Sequence, residues 1–310
     1  MTKTFRIGTR GSKLALIQTD MVAAALRAAH PDLNIEIKTI LTSGDWKPEQ
    51  GETRLSETAG GKGQFAHEIE RAILANEVDC GVHSLKDMPS FLPTGLVIRH
   101  VLKRADPRDA FLSNGAKRID DLPQGAVVGT SSLRRQAMLL KHRPDLKIVP
   151  LRGNVPTRIE KLRSGQVDAA ILALAGLKRL GLEHEIAGIL EHDIMLPAAC
   201  QGIVGIEIRE DDGFADSLLN AIHDVGAGLA AASERMALGV LDGSCHTPIG
   251  AHATLAGDMM TLKLLVASAD GQVVFEDEQS GPVHNNADAE MLGRVTAVRL
   301  KSRLPENFLL

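Results

Sequence analysis

Residues 130–164 carry nine cations (Arg134, Arg135, Lys141, Arg143, Lys147, Arg152, Arg158, Lys161 and Arg163) against two acids, Asp145 and Glu160. This local charge of +7 sits in a chain of net charge −4, which leaves −11 for the remainder. Arg134 and Arg135 fall in the first turn of an expected helix, where the macrodipole disfavours cations, so they call for a compensating anion. Ser131, Ser132 and the open backbone N–H groups of that helix start can bind the same anion. Arg152, at the strand end in LRGN, and Arg158, in the next helix, are expected along the same cleft edge, where guanidinium forks grip carboxylates or phosphates bidentately. Arg10, in a matching junction near the N-terminus, carries the same argument. Lys141, Arg143, Lys147, Lys161 and Arg163 read as solvated faces with surface ion pairs.

Two further segments have chemical potential. In VHSLKDMP, His83, Ser84, Lys86 and Asp87 follow an apolar strand, and ligands of open α/β sheets collect beyond the carboxyl ends of strands. Asp87 can accept N–H bonds or steady a developing cation; the plainer reading is a turn residue before Met-Pro. In LDGSCHTPIG, Cys245 lies on a Gly/Ser turn and is expected to be accessible. The residues alone leave it open as a nucleophile, an attachment point or neither. Cys80, inside an apolar strand, reads as a small packed side chain. The wide spacing of Cys80, Cys200 and Cys245 fits neither a disulfide framework nor a zinc site, so no metal is expected.

The elements that must position these groups are legible as alternating β-rich and helical runs. Phe5–Thr9, Asn34–Leu41, Asp79–Ser84 and Leu96–Val101 read as strands, with helices over Ser12–Ala29 and Gln64–Asn76. The pattern restarts after Ala105–Arg108. Strands are expected at Ala126–Thr130, Leu146–Leu151 and Asp168–Leu174, and helices at Leu133–His142 and Val155–Ser164. This order implies βαβ units and a largely parallel sheet. IGTRGSKL and VGTSSLRR both end a strand in Gly-Thr and open a helix with Ser, which supports two similar α/β domains. Ile203–Ile208 is a later strand able to return to the first sheet. From about Val225 an Ala-rich helix (Ala227–Leu238), three strands and a closing helix (Ala287–Arg303) form a small α+β domain, with Asp270-Gly271 as its hairpin signal. The expected division is 1–102 with 203–220, then 107–197, then 225–310. Thr42–Gly63, with five glycines and no apolar period, reads as a lid.

Composition narrows the function class. At 310 residues the chain is long enough for two or three domains. Its 44% hydrophobic and 24% charged content is that of a soluble globular protein. The mild negative charge does not suit nucleic acid, and residues 130–164 hold no aromatic ring to stack a base. No apolar run reaches the ~20 residues of a spanning helix, and the basic N-terminus lacks the apolar core of an export leader. Neither a membrane nor a nucleic-acid partner is expected, and the expected location is the cytoplasm.

Taken together, GTRGSKLALIQ, TSGD, GGKGQFAHEIE, DCGVHSLKDMP, VGTSSLRRQ, LRGNVPTR, ILALAGLKRLG and DGSCHTPIG resemble the hydroxymethylbilane synthase (porphobilinogen deaminase) family, in order and from end to end. The resemblance implies two periplasmic-binding-protein-like α/β domains plus a small C-terminal α+β domain. It implies a monomeric transferase of porphyrin (haem) biosynthesis that joins four porphobilinogen molecules into a linear tetrapyrrole and releases ammonia. Cys245 resembles the cysteine that holds a dipyrromethane cofactor by a thioether. Asp87, with Lys86 beside it, resembles the catalytic aspartate that steadies the cationic intermediate. Arg10, Lys62, Lys86, Arg134, Arg135, Arg152, Arg158 and Arg179 fall on positions that bind acetate and propionate groups. Ser84, Thr130, Ser131, Ser132 and Gln201 resemble polar contacts to cofactor or substrate, and Phe65 a ring packed near the active site. Cys200 departs from the family, which often has glycine there, and His246 takes no role. A two-lobed carboxylate-binding protein and another thiol-dependent transferase are the alternatives.

Overall fold

The structure is a computed structural model that describes residues 4–42, 66–241, 247–306 and 308. In chain order, β1 (Thr4–Arg10), α1 (Lys13–Ala29), β2 (Asn34–Ile40), α2 (His67–Leu74), β3 (Cys80–Ser84) and β4 (Leu96–Val101) come first. There follow β5 (Asp109–Ser113), β6 (Val127–Gly129), α3 (Leu133–His142), β7 (Lys147–Val149), α4 (Val155–Arg163), β8 (Ala169–Ala173), α5 (Leu174–Arg179) and β9 (Gly188–Leu190). The chain continues through β10 (Val204–Arg209), α6 (Gly213–Asn220) and α7 (Val225–Val240). It closes with β11 (Ile249–Ala256), β12 (Met259–Ala267), β13 (Val274–Pro282) and α8 (Asn286–Lys301).

The described residues divide into two compact units, one of 4–42, 66–105 and 202–229, the other of 106–201, 230–241, 247–306 and 308. In the first, the sheet order is β2-β1-β3-β10-β4. β1 runs parallel to β2 and β3, whereas β10 runs antiparallel to both β3 and β4. Ser12 caps α1, its hydroxyl accepting from the Ala15 N–H at 3.3 Å. One stripe of that helix (Val22, Ala23, Leu26) then buries against Phe5, Ile7, Cys80 and Val82. On the other sheet face α2 buries Ile69, Ala72 and Ile73 with Val78 and Leu96.

The second unit repeats the plan as β7-β6-β8-β5-β9. β6 is parallel to β7 and β8, and β5 antiparallel to β8 and β9. Both sheets are therefore mixed, which corrects the largely parallel sheet expected from the sequence. The reason is the same in each. The fourth position is filled by a reversed strand, β10 in the first unit and β5 in the second, and each comes from outside the βαβ run that supplies its neighbours: β10 is the last strand of its sheet in chain order and β5 the first. The sequence reading passed over both β5 and β9, which have no expected helix between them and a neighbouring strand of the sheet to mark them as parts of a βαβ unit. β5 and β8 are buried on both faces: Phe111, Ala169 and Ile171 point into one core, Ala110, Leu112, Ala170 and Leu172 into the other. Such strands read as short apolar runs rather than alternations.

The antiparallel sheet β11-β12-β13 adds Leu265 and Ala267 to the first of those cores. The Asp270-Gly271 turn joins β12 to β13, with Gly271 in the left-handed region at φ +71°. No helix among the described residues is long and apolar enough to cross a membrane.

Candidate active site

In the first unit the site begins where β3 ends. Ser84 closes the strand, and Leu85–Asp87 forms one 3₁₀ turn held by the Met88 N–H donating to the Leu85 carbonyl at 3.2 Å. Leu85 is 1% exposed and acts as the plug of the turn. Lys86 is half-buried and Asp87 exposed. The Gln18 amide of α1 donates to the Ser84 hydroxyl at 2.9 Å, so helix and strand end are tied together. Arg10, Ser12, Gln18, Ser84, Asp87 and Met88 line one concavity. Four of the expected groups of this unit, Arg10, Ser84, Lys86 and Asp87, thus gather at the carboxyl end of the sheet.

In the second unit Ser132 caps α3 by accepting from the Arg135 N–H at 3.4 Å. Thr130 accepts from the Ser132 N–H at 3.2 Å, and Ser131 from the Leu151 N–H at 3.1 Å. These hydroxyls stitch the ends of β6 and β7 to the helix start. The compensating anion demanded by Arg134 and Arg135 is present within the chain: it is Asp109, the first residue of β5. Its carboxylate has no exposed surface. It accepts from Arg134 Nη2 at 2.7 Å, from Arg135 Nη2 and Nε at 2.7 and 3.2 Å, and from Gln201 Nε2 at 3.0 Å. Arg134 Nη1 donates to the Leu196 carbonyl at 2.6 Å and Arg135 Nη1 to that of Ile171 at 3.0 Å.

Burial by itself would raise the pKa of Asp109, but the two guanidinium charges overcome it and hold the carboxyl well below the usual range. Burial pulls Arg134 downward, opposed by Asp109. Two guanidiniums on one carboxylate leave a surplus positive charge in a dry site at the start of α3, where Coulomb attraction to a further anion is weakly screened. Arg134 Nε is buried and finds no acceptor among the described residues. A group bearing carboxylates, such as a dipyrromethane, suits this donor set.

Arg152 is 6% exposed. Arg158 donates through Nε to the Gly153 carbonyl at 2.8 Å, and Lys161 donates to the Arg152 carbonyl at 3.0 Å, so both shape the LRGN turn. Arg179 ends α5, and burial lowers its pKa. Gln201 spends its amide nitrogen on Asp109 and on the Pro107 carbonyl at 2.6 Å. Cys200 before it adopts φ +61°, which is why a glycine is at home at this position. Glu234 of α7, 0% exposed, accepts from the Ala253 N–H at 2.7 Å and from the Cys200 N–H. Lys62, Phe65, Cys245, His246 and most of the expected lid lie outside the described residues. Among the described residues no cluster of His, Cys, Asp or Glu could hold a metal ion.

Asp109 and Glu234 were not found from the sequence. Asp109 stands outside the basic window, in PRDAF; the segment Lys103–Phe111 is itself similar to the family, but that similarity gave Asp109 no role. Glu234 lies on a helix whose Ala-rich neighbours gave no reason to expect a buried carboxylate.

Comparison with known proteins covers nearly all of this. The family model "Porphobilinogen deaminase, dipyromethane cofactor binding domain" matches residues 5–217, and "Porphobilinogen deaminase, C-terminal domain" matches residues 229–302. A porphobilinogen deaminase of Nitrobacter hamburgensis is 48% identical over 305 residues, covering 97% of this chain and 94% of that one. Those of Paracoccus denitrificans and Syntrophobacter fumaroxidans are 48% and 45% identical, covering 98% and 96% of this chain and 95% and 94% of theirs. Among solved structures, the methionine binding protein MetQ is similar at 16% identity and a TM-score of 0.44, over 77% of this chain and 96% of that one. By two matching family models and by identity along nearly its whole length, this chain belongs to the porphobilinogen deaminase family.

Proposed function

We propose that this chain is a hydroxymethylbilane synthase, joining four porphobilinogen molecules head to tail with loss of one ammonia at each addition. The observation that carries the reading is family membership along both the cofactor-binding and C-terminal parts of the chain. It disfavours the two alternatives, a carboxylate-binding protein and a different thiol-dependent transferase.

The residues have separable tasks. Each porphobilinogen brings an acetate and a propionate, so negative charge accumulates as the product grows. Arg10, Lys62, Lys86, Arg134, Arg135, Arg152, Arg158 and Arg179 neutralise it. The Arg134–Arg135–Asp109 cluster supports this, because two guanidiniums share one carboxylate there. Thr130, Ser131, Ser132, Ser84 and Gln201 orient polar groups, and Phe65 matches a ring that packs near the active site. Asp87 is exposed at its turn and meets the substrate directly. Its carboxylate steadies the positive charge that develops on the ring and its methylene carbon as the amino group of the aminomethyl arm departs as ammonia. It also holds and returns a proton at that step, with Lys86 at its side. Cys245 anchors the dipyrromethane, which when bound supplies the pyrrole carbon to which the first unit is joined. A tethered primer turns each addition into an intramolecular event.

The finer assignments belong to the same reading: a monomeric cytoplasmic transferase, with no nucleic-acid or membrane partner, divided at 1–102 with 203–220, 107–197 and 225–310. The intact mass of the denatured protein beside a Cys245→Ser variant tests the core of it. Wild type heavier than its sequence by two linked pyrroles, with the excess missing in the variant, is the expected result. A wild-type mass that stays unmodified after incubation with porphobilinogen would overturn it.

A further inference from the structure

Asp87 owes its place to the end of β3, and that end is weakly held by the sheet alone. The parallel pairing of β3 with β1 covers only Cys80 and Gly81. From Val82 to Ser84 the one strand partner among the described residues is β10, in the register His83 opposite Gly205 and Gly81 opposite Glu207. At this point a side-chain tie crosses the pairing diagonally. His83 Nε2 meets Glu207 Oε2 at 3.1 Å, with the two side chains 6% and 0% exposed.

The tie needs Gly81. A Cβ there would lie 2.8 Å from His83 Nε2 and 2.6 Å from Ile69 Cγ2, closer than real Cβ contacts come. The imidazole therefore lies back over the glycine to reach Glu207. A second small residue completes the fit: a Cβ on Gly205 would stand 3.0 Å from Leu85, the buried residue of the Asp87 turn. The Leu85 N–H also donates to the Ile203 carbonyl at 3.0 Å, so the turn is seated on the start of β10.

Glu70 of α2 closes the cluster, its Oε2 meeting His67 Nδ1 at 3.1 Å. Burial and then the nearby Glu207 charge push the Glu70 carboxyl upward. Its Oε1 and that of Glu207 are buried with no partner among the described residues. A dry cluster with unmet acceptors is costly, and its upkeep calls for a return.

We infer that His83 and Glu207, meeting over Gly81, are positioning residues for Asp87: they lock the last residues of β3 so that the Leu85–Asp87 turn presents its carboxylate in one place. The inference rests on the proposed role of Asp87. A displacement of about 1 Å in a reacting group costs on the order of a hundredfold in rate, so the tie is expected to act on kcat rather than on substrate binding.

The test uses the full-length holoenzyme with its dipyrromethane load checked by intact mass. Glu207→Leu removes the acceptor, while Glu207→Gln keeps an oxygen for His83. Glu207→Leu should lower kcat about ten- to hundredfold and leave the porphobilinogen KM within about twofold, whereas Glu207→Gln should stay within about threefold of wild type. Amide exchange at Leu85 should quicken in the Leu variant and not in the Gln variant. Equal behaviour of the two variants, or a change in KM alone, overturns the inference. If Glu207→Leu does not fold, Gly81→Ala decides, because its methyl displaces the imidazole while Glu207 remains. An unchanged kcat in a folded Gly81→Ala enzyme likewise overturns it. Asp87→Asn is assayed alongside. Retained turnover there brings down the role of Asp87 and this inference with it; lost turnover there with normal Glu207→Leu brings down this inference alone.

Discussion

Arg135 clasps Asp109 through two nitrogens, Nη2 at 2.7 Å and Nε at 3.2 Å, on a carboxylate with no exposed surface. The two residues are brought together by β5 and α3, and Arg134 and Gln201 join them there. Removing the shared carboxylate leaves two buried guanidiniums uncompensated. Asp109→Asn should therefore lose about 3 kcal/mol or more of stability, since breaking a buried pair strands the remaining charge. Urea unfolding of the two proteins at neutral pH checks this.

The same pair sets a pH signature. Arg134 and Arg135 depress the folded pKa of Asp109, against burial, below its unfolded value of about 3.9. A depressed carboxyl contributes stability above the unfolded pKa, and the contribution is lost as pH falls through the folded pKa. The stability gap between wild type and Asp109→Asn should stay flat from about pH 7 to pH 5 and narrow on acidification below about pH 4. A series of urea titrations across that range measures it; a gap that narrows between neutrality and pH 5 would falsify the assignment.

Arg134 and Lys147 separate buried from solvated cations. Arg134 is 5% exposed and bonded to Asp109 and Leu196, whereas Lys147 is exposed on β7. Arg134→Ala should cost about 3 kcal/mol or more, and Lys147→Ala should stay within about 0.5 kcal/mol. Assayed at a temperature where both are folded, Arg134→Ala should also stall chain elongation, with partly elongated products visible by mass, and Lys147→Ala should not.

Asp87→Asn should keep the fold, because the side chain is exposed and the substitution keeps its shape. Its turnover should drop by about a hundredfold or more, the usual loss when a group that stabilises transition-state charge is neutralised. Ammonia release measured against thermal melting separates the two effects.

Cys200 occupies the left-handed region at φ +61° while packed at 1% exposure. Cys200→Gly should change stability by less than about 1 kcal/mol, because relief of the backbone offsets the lost burial. Cys200→Val should lose about 2 kcal/mol or more, since a β-branched side chain tolerates that backbone poorly. Melting temperatures of the pair read this out.

The sequence by itself was enough to place the alternating α/β elements, the helix start at Ser132, the Asp270-Gly271 turn and the Asp87 segment beyond a strand end. These follow from local physics: apolar period, capping side chains and glycine at positive φ act within a few residues. The motifs from GTRGSKLALIQ to DGSCHTPIG likewise carried the family in order. What only the tertiary structure decided is which distant residues meet. The reversed strands β5 and β10 turn an expected largely parallel sheet into a mixed one, because strand direction depends on where the fold inserts a strand from outside the βαβ run. Asp109, 25 residues before Arg134, supplies the anion that the helix-start arginines required. Glu207, 124 residues after His83, backs the Asp87 strand. Burial is what makes such partners matter, since a charge or a polar atom away from water must find its complement wherever the fold brings one.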